Sequence, residues 1–217
     1  MNFQNIFPFW EQLNNKEQDI VSASVLSQKM KKGDILHRGC GECSGIVHVA
    51  KGQLRVYIVS EEGREVTLYR LHEGELCVLS ASCLMDAIVF DVLIEAVQDS
   101  ELVVLPSPAL HDIMETNPMV ELALYKRVVE NFSDVMWTMQ QILFMGVDQR
   151  VAHFLWDEMA KTGDTTIRLT HEEVARFIGS AREVVTKVLK YFVEEDVVSL
   201  SRGKIEIIDK AKLRKYL

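Results

Sequence analysis

The sequence predicts an α+β protein of three parts: an N-terminal β jelly-roll, a long dimerisation helix and a C-terminal winged helix-turn-helix. Three observations carry that prediction. Short β-rich runs separated by turn signals fill Ser22 to Leu105. A sustained helical periodicity follows between Pro118 and Gly146. From Leu169 to Lys190 the chain then reads as a capped helix, a tight turn at Gly179 and a second helix with a polar outer face. The boundaries expected are 1–117, 118–146 and 147–217.

Residues from about Met1 to Val21 read as a short helical lead-in. In the β region, Gln53 to Val59 and Glu65 to Tyr69 flank the turn Glu61-Glu62-Gly63-Arg64, an expected hairpin with alternating faces. Gly33, Gly39, Gly45, Gly52, Gly63 and Gly74 punctuate the runs, and several short strands at such spacing argue for a sandwich or jelly-roll. In the long helix, Leu122, Tyr125, Val129, Phe132, Met136, Met139 and Leu143 alternate spacings of three and four. That is the a/d seam of a two-stranded coiled coil. A core helix in a monomer is the alternative, but a seam exceeding three heptads favours a homodimer. A second stripe, Val128, Val135 and Ile142, is suited to packing on the β-domain. Asp148 is the expected N-cap of a further helix, Gln149 to Lys161.

In the helix-turn-helix, Thr170 is the expected N-cap, with Glu173 completing a capping box. Val174, Phe177 and Ile178 line one inner face, and Val185, Val188, Leu189 and Phe192 the other. Arg182, Glu183, Thr186, Lys187 and Lys190 remain outside. An Arg in the first turn of such a helix pairs bidentately with guanine O6 and N7, and a neighbouring Glu accepts from cytosine N4. Arg182, Glu183 and Lys187 are therefore the expected base contacts. Thr170 and Ser180 sit at helix N-termini, where hydroxyls and N–H groups meet phosphate. Beyond them, Val197 to Leu200 and Ile205 to Ile208 flank Ser201-Arg202-Gly203-Lys204, a wing whose basic tip places Arg202 and Lys204 on the DNA backbone. The competing reading is a helical hairpin in which Arg182 and Glu183 form a weak surface pair.

The bulk numbers fit a two-core chain. A length of 217 residues with 48% hydrophobic content suffices for one large or two modest domains. No apolar run is long enough for a bilayer and no signal segment opens the chain, so a cytoplasmic location without membrane partners is expected. The net charge of −8 conceals an asymmetry. From Asp148 onward there are 13 Lys/Arg and 12 Asp/Glu, a balance of +1; the first 147 residues hold 24 − 13 = 11 basic and 32 − 12 = 20 acidic, a balance of −9. Local charge on the reading surface governs phosphate attraction, and so modest a balance makes DNA affinity depend on dimerisation.

A β-barrel, a long dimer helix and a winged helix in that order resemble the Crp/Fnr family of bacterial transcription regulators. The resemblance is most specific in the run LTHEEVARFIGSAREVVTKVLKYF, close to that family's DNA-binding signature, and in KKGDILHRG with VAKGQLRVYIVSEEGREVTLYRLHEGEL. It implies a cyclic-nucleotide-binding-like N-terminal domain under effector control, a palindromic double-stranded site, base contacts at Arg182, Glu183 and Lys187, and backbone contacts at Thr170, His171 and Ser180. It also implies that the loop Met159 to Thr165 touches RNA polymerase. Lys187 stands where a second Arg is common, which keeps the charge and loses the planar fork. The residues depart further in the sensor. Val78 and Leu79 fall where cyclic-nucleotide binders carry Gly-Glu, and Phe90 and Asp91 fall at or near their Arg-Ser pair. No Arg or Lys occurs between Arg70 and Lys126. A buried phosphate would be under-compensated there, which argues against cyclic AMP.

The sensing chemistry stays open between alternatives. Cys40 and Cys43 form a C-x2-C pair, and Cys77 and Cys83 bring the count to four. Such thiolates hold an iron–sulfur cluster or zinc, or respond directly to oxidation. A plain buried role suits Cys77 and Cys83 equally. The competing idea is a small organic effector in an apolar pocket with Leu79, Phe90, Asp91, Tyr125 and Phe132 as candidate lining, joined by Tyr69, Val92, Met136 and Trp137. Haem held by His37, His48 or His72 with Cys77 ranks third. An enzyme on a cupin-like barrel is not expected, because the histidines show no repeated ligand spacing. A ligand-binding adaptor whose helix-turn-helix contacts protein is the remaining rival.

Overall fold

The computed structural model describes residues 2–38, 44–84 and 92–217, except the side chains of His37, Arg38 and Cys83. Two short 3-10 turns, Phe3–Asn5 and Trp10–Gln12, open the chain, followed by helix α1, Asn15–Ser24. The lead-in is therefore helical only in pieces. Asn14 accepts from Glu17 N (3.0 Å) while Glu17 accepts from Asn14 N (2.9 Å), a capping box that starts α1.

Among the described residues eight strands follow: β1 Leu26–Met30, β2 Ile35–Arg38, β3 Ile46–Lys51, β4 Leu54–Val59, β5 Glu65–Leu71, β6 Leu76–Cys77, β7 Leu93–Ala96 and β8 Ser100–Leu105. They form two four-stranded sheets, β1-β8-β3-β6 and β2-β7-β4-β5. This is the jelly-roll the sequence predicts, and the expected hairpin is the neighbouring pair β4 and β5. The alternation of apolar residues places two cores on the two faces of the first sheet. Val47, Val49, Leu102 and Val104 face inward with Val56, Leu68 and Ile94. Ile46 and Leu105 face outward onto Phe7, Phe9, Val21, Leu110 and Ile113. The second group includes α2, Ser107–Thr116, and the beginning of α3, Pro118–Phe144, through Val120 and Leu124.

Helix α3 carries two stripes. Val128 and Val135 pack on the outer and inner cores of the β-unit. Ile142, expected beside them, instead lies by the turn at Gly179, its Cδ1 3.6 Å from where a Cβ on that glycine would stand. The heptad seam is the exposed stripe: Val129 is 65% exposed, Phe132 61% and Leu143 65%. One compact unit comprises Met1–Gly63 and Leu68–Val135, the other Arg64–Thr67 and Met136–Leu217, so α3 belongs to both.

The second unit adds α4 Val147–Thr162, β9 Thr166–Ile167, α5 His171–Ile178, α6 Arg182–Glu194, β10 Val198–Ser201, β11 Lys204–Ile207 and α7 Lys210–Arg214. The start of α4 corrects an expectation. Its N-cap is Gly146, whose N–H donates to Gln149 Oε1 (3.1 Å), and Asp148 sits inside the first turn as a favourable negative charge. A three-stranded sheet, β10-β11-β9, closes the unit over Val151, Leu155, Val174, Val185, Leu189 and Phe192.

Register also overturns part of the haem reading. His48 pairs with Leu76 and Val47 with Cys77. Successive side chains on a strand point to opposite faces, so His48 and Cys77 cannot bind one iron. His48 is buried, Nδ1 has no hydrogen-bond partner, and burial holds the imidazole below its ordinary pKa. The folded state thus keeps His48 neutral, while the unfolded chain takes up a proton near its ordinary value, about 6.5. Stability is fully present above that value and declines as pH falls from it towards the folded pKa. Urea midpoints measured through this interval should fall less steeply for His48→Leu than for the parent.

Candidate nucleic-acid interface

The reading helix is positioned by local rules. Thr170 Oγ1 accepts from Glu173 N (3.2 Å), and Glu173 Oε2 accepts from Thr170 N (2.8 Å) and Oγ1 (2.9 Å). This capping box, as expected, starts α5. Gly179 ends it at φ +64°, a left-handed conformation with little cost for glycine. From α4, Arg150 donates through Nη1 to the Ile178 carbonyl (2.8 Å), holding the last turn of α5 from beneath. Val174, Ala175 and Ile178 of α5 and Val185, Leu189 and Phe192 of α6 are buried in one core, which fixes the outward face of α6.

On that face Arg182, Glu183, Lys187 and Lys190 are exposed. Thr170 is exposed at the start of α5, and Ser180 is half-buried in the turn, its N–H donating to the Ala175 carbonyl (2.9 Å). His171 Nδ1 lies 3.0 Å from Thr186 Oγ1 and so bridges α5 to α6. Burial, then the nearby Arg182 and Lys190, push the His171 pKa down, so the ring is neutral at pH 7. An open cleft of about 640 Å³ runs between α5 and the wing, lined by Leu169, Thr170, His171, Glu172, Arg182, Leu200 and the hairpin tip Ser201 to Lys204. Arg182, Arg202 and Lys204 give it three cations against Glu172, with the N–H groups of α5 at its edge. Of the residues expected to meet DNA, Thr170, His171, Arg182, Arg202 and Lys204 line this cleft, while Glu183, Lys187 and Ser180 are not part of its lining.

Two features escape sequence reasoning. Ala181 is the N-cap of α6 and offers no side-chain acceptor. Val184 stands 39% exposed beside Glu183 and Lys187. The inner face read from periodicity, Val185, Val188, Leu189 and Phe192, leaves it out but gives it no role.

Residues 149–216 match a Crp-like helix-turn-helix domain, and residues 27–117 match the cyclic nucleotide-binding domain. A solved structure from Eubacterium rectale, assigned to the transcriptional regulators of the Crp/Fnr family, is 43% identical, covers 97% of each chain and superposes with a TM-score of 0.90. The chain belongs to the Crp/Fnr family. Among curated relatives, the cyclic AMP receptor protein of Thermus thermophilus is 28% identical over 76% of each chain. The cAMP-activated global transcriptional regulator CRP of Salmonella typhimurium is 21% identical over 82% of this chain and 86% of its own. As a family member, the chain is a DNA-binding transcription regulator with an N-terminal effector-binding domain, and these relatives are regulators rather than enzymes. No helix among the described residues is long and apolar enough to cross a membrane.

In the sensor domain, Leu79 is buried, Tyr125 half-buried and Phe132 exposed. Phe90 and Asp91 lie outside the described residues, as do Cys40, Cys43 and the side chains of Cys83 and His37. Cys77 is in the inner core, and burial pushes its thiol pKa up, the reverse of what a reactive thiolate needs. His72 is held by Gln53 Nε2, 3.2 Å from Nδ1. Asn131 of α3 donates through Nδ2 to the hydroxyl of Tyr69 (3.3 Å), both buried. Burial, then Cys77 and Asp134, keep that hydroxyl well above its ordinary pKa. Among the described residues, no group of three or more His, Cys, Asp and Glu comes together.

The bare cap of α6 has a measurable consequence. A serine at an N-cap is worth about 1 kcal/mol over alanine. Ala181→Ser should therefore raise the unfolding free energy of the winged unit by that order, read from denaturant titration.

Proposed function

We propose that this regulator acts as a homodimer that reads a palindromic DNA site, its affinity set by an effector event in the jelly-roll. The observation that carries the reading is the exposed set Arg182, Glu183 and Lys187 on α6, contiguous with a cleft bearing Arg202 and Lys204. Thr170, His171 and Ser180 lie along the same surface and serve the phosphate backbone. The exposed seam of α3, Leu122, Val129, Phe132, Met136, Met139 and Leu143 with half-buried Tyr125, supplies the dimer contact. Two reading helices related by a two-fold axis demand half-sites about one helical turn, ~10 bp, apart. The loop Met159 to Thr165 remains the candidate contact for RNA polymerase.

Cyclic AMP suits the sensor poorly, since Val78 and Leu79 are buried apolar side chains and no Lys or Arg lies between Arg70 and Lys126. Leu79 shares an apolar core with Tyr69, whose hydroxyl is held by buried Asn131, and such a surround suits a small, largely apolar organic effector. Iron–sulfur, zinc or thiol-redox sensing by Cys40, Cys43, Cys77 and Cys83 is the second reading, favoured by the C-x2-C pair and weakened by the neutral, core-packed Cys77. Anaerobic purification with an absorption spectrum and iron, sulfide and zinc analysis separates metal binding from the rest. Iron with sulfide at cluster stoichiometry would make the cysteines the sensor and zinc without colour would make them a structural clip; a colourless, metal-free protein moves the search to organic ligands and thiol oxidation.

The DNA reading has its own test. With an operator selected from a random duplex pool, Arg182→Ala should weaken specific binding by about 1–3 kcal/mol and relax one position in each half-site. Unchanged binding would remove Arg182 from base reading. For the dimer, Val129→Asp should shift sedimentation to that of a monomer and abolish operator binding together; a dimer that persists refutes the seam.

A further inference from the structure

The first turn of α6 contains an apolar side chain that neither the fold nor the helix requires. With Ala181 as N-cap, Arg182, Glu183 and Val184 occupy the first three helical positions. The third of these is where a Glu or Gln would close a capping box, and where an acidic group suits the helix dipole. Valine does neither, and its β-branch makes it one of the weaker helix formers. Val184 belongs neither to the core beneath α6 nor to the side chains packed on that core, and it is 39% exposed. On a helix of 3.6 residues per turn it neighbours Lys187 at i+3, as Glu183 neighbours Lys187 at i+4. Val184 therefore continues the same patch of α6 that carries the base-reading groups.

Only one base edge in the major groove presents an apolar feature, the C5-methyl of thymine. Resting on the proposed DNA reading, we infer that Val184 is a specificity-determining residue that packs on a thymine methyl in each half-site, next to the base pair met by Lys187. Cytosine, which lacks that methyl, leaves the valine facing a polar edge and water. The selectivity of α6 is then of two kinds, charged hydrogen bonding by Arg182, Glu183 and Lys187 and methyl contact by Val184.

The test uses the full-length protein and its selected operator, with each thymine replaced in turn by deoxyuridine, which lacks only the 5-methyl. One thymine per half-site, adjacent to the position relaxed by Lys187→Ala, should weaken parent binding about fourfold per half-site when demethylated, the factor expected for one buried methyl-sized group. Val184→Ala should bind the thymine and uracil operators equally, whereas Val184→Thr, which keeps one γ-methyl, should still discriminate. Being exposed, both substitutions should leave the thermal midpoint at the parent value. The inference is overturned if no thymine shows a methyl effect, or if Val184→Ala retains the parent's thymine-to-uracil ratio. If no sequence is enriched at all, or Arg182→Ala binds as tightly as the parent, the DNA reading itself fails and Val184 loses its role with it.

Discussion

The two-sidedness of α3 is the constraint on which the remaining structure depends. A helix with one apolar stripe is satisfied by one core. This one presents Val120, Leu124, Val128 and Val135 to its own β-unit and still leaves Val129, Phe132 and Leu143 in water. Apolar surface of that extent on a monomer marks an interface. Because the helix passes from the β-unit into the winged unit at Met136, the seam concerns both. In the proposed dimer, a change in how two such helices meet would reach both units through this one helix.

The Tyr69–Asn131 bond gives that coupling a polar component on the sensor side. Both groups are buried, and each would be costly to leave unsatisfied. On the proposed effector reading, a ligand in this core would have to preserve the bond or replace it with its own donor and acceptor, which would tie its affinity to the position of α3. Val78 and Leu79, buried and apolar, belong to the proposal that the effector is not gripped by a phosphate.

Reading DNA makes different demands, and the second unit meets them with rigidity. Arg150 beneath the last turn of α5, the His171–Thr186 contact and the shared core of Val174, Val185 and Leu189 leave α6 little freedom. The exposed groups can then be few. On the proposed reading, a near-neutral winged unit would rely on placement of Arg182, Lys187, Arg202 and Lys204 rather than on bulk positive charge.

Much of this was legible in the chain because the signals are local. The capping box at Thr170 and Glu173, the turn at Gly179 and the seven-residue repeat of α3 each act within a few residues, so sequence alone determined the element order and the winged helix and marked Arg182, Glu183 and Lys187 as candidate readers. What lies across the sheet was not legible. Only register put His48 and Cys77 on opposite faces, since a one-residue shift in pairing would reverse every side chain. Asp148 reads as a cap from composition, yet the backbone before it placed Gly146 there and drew Asp148 into the first turn. Val184 fell outside the inner face that periodicity assigns to Val185, Val188, Leu189 and Phe192, but only the packing of α6 decided that it is left exposed. The physical reason is the same in each case: periodicity names a face, but only the partner that covers it decides which residues are left outside.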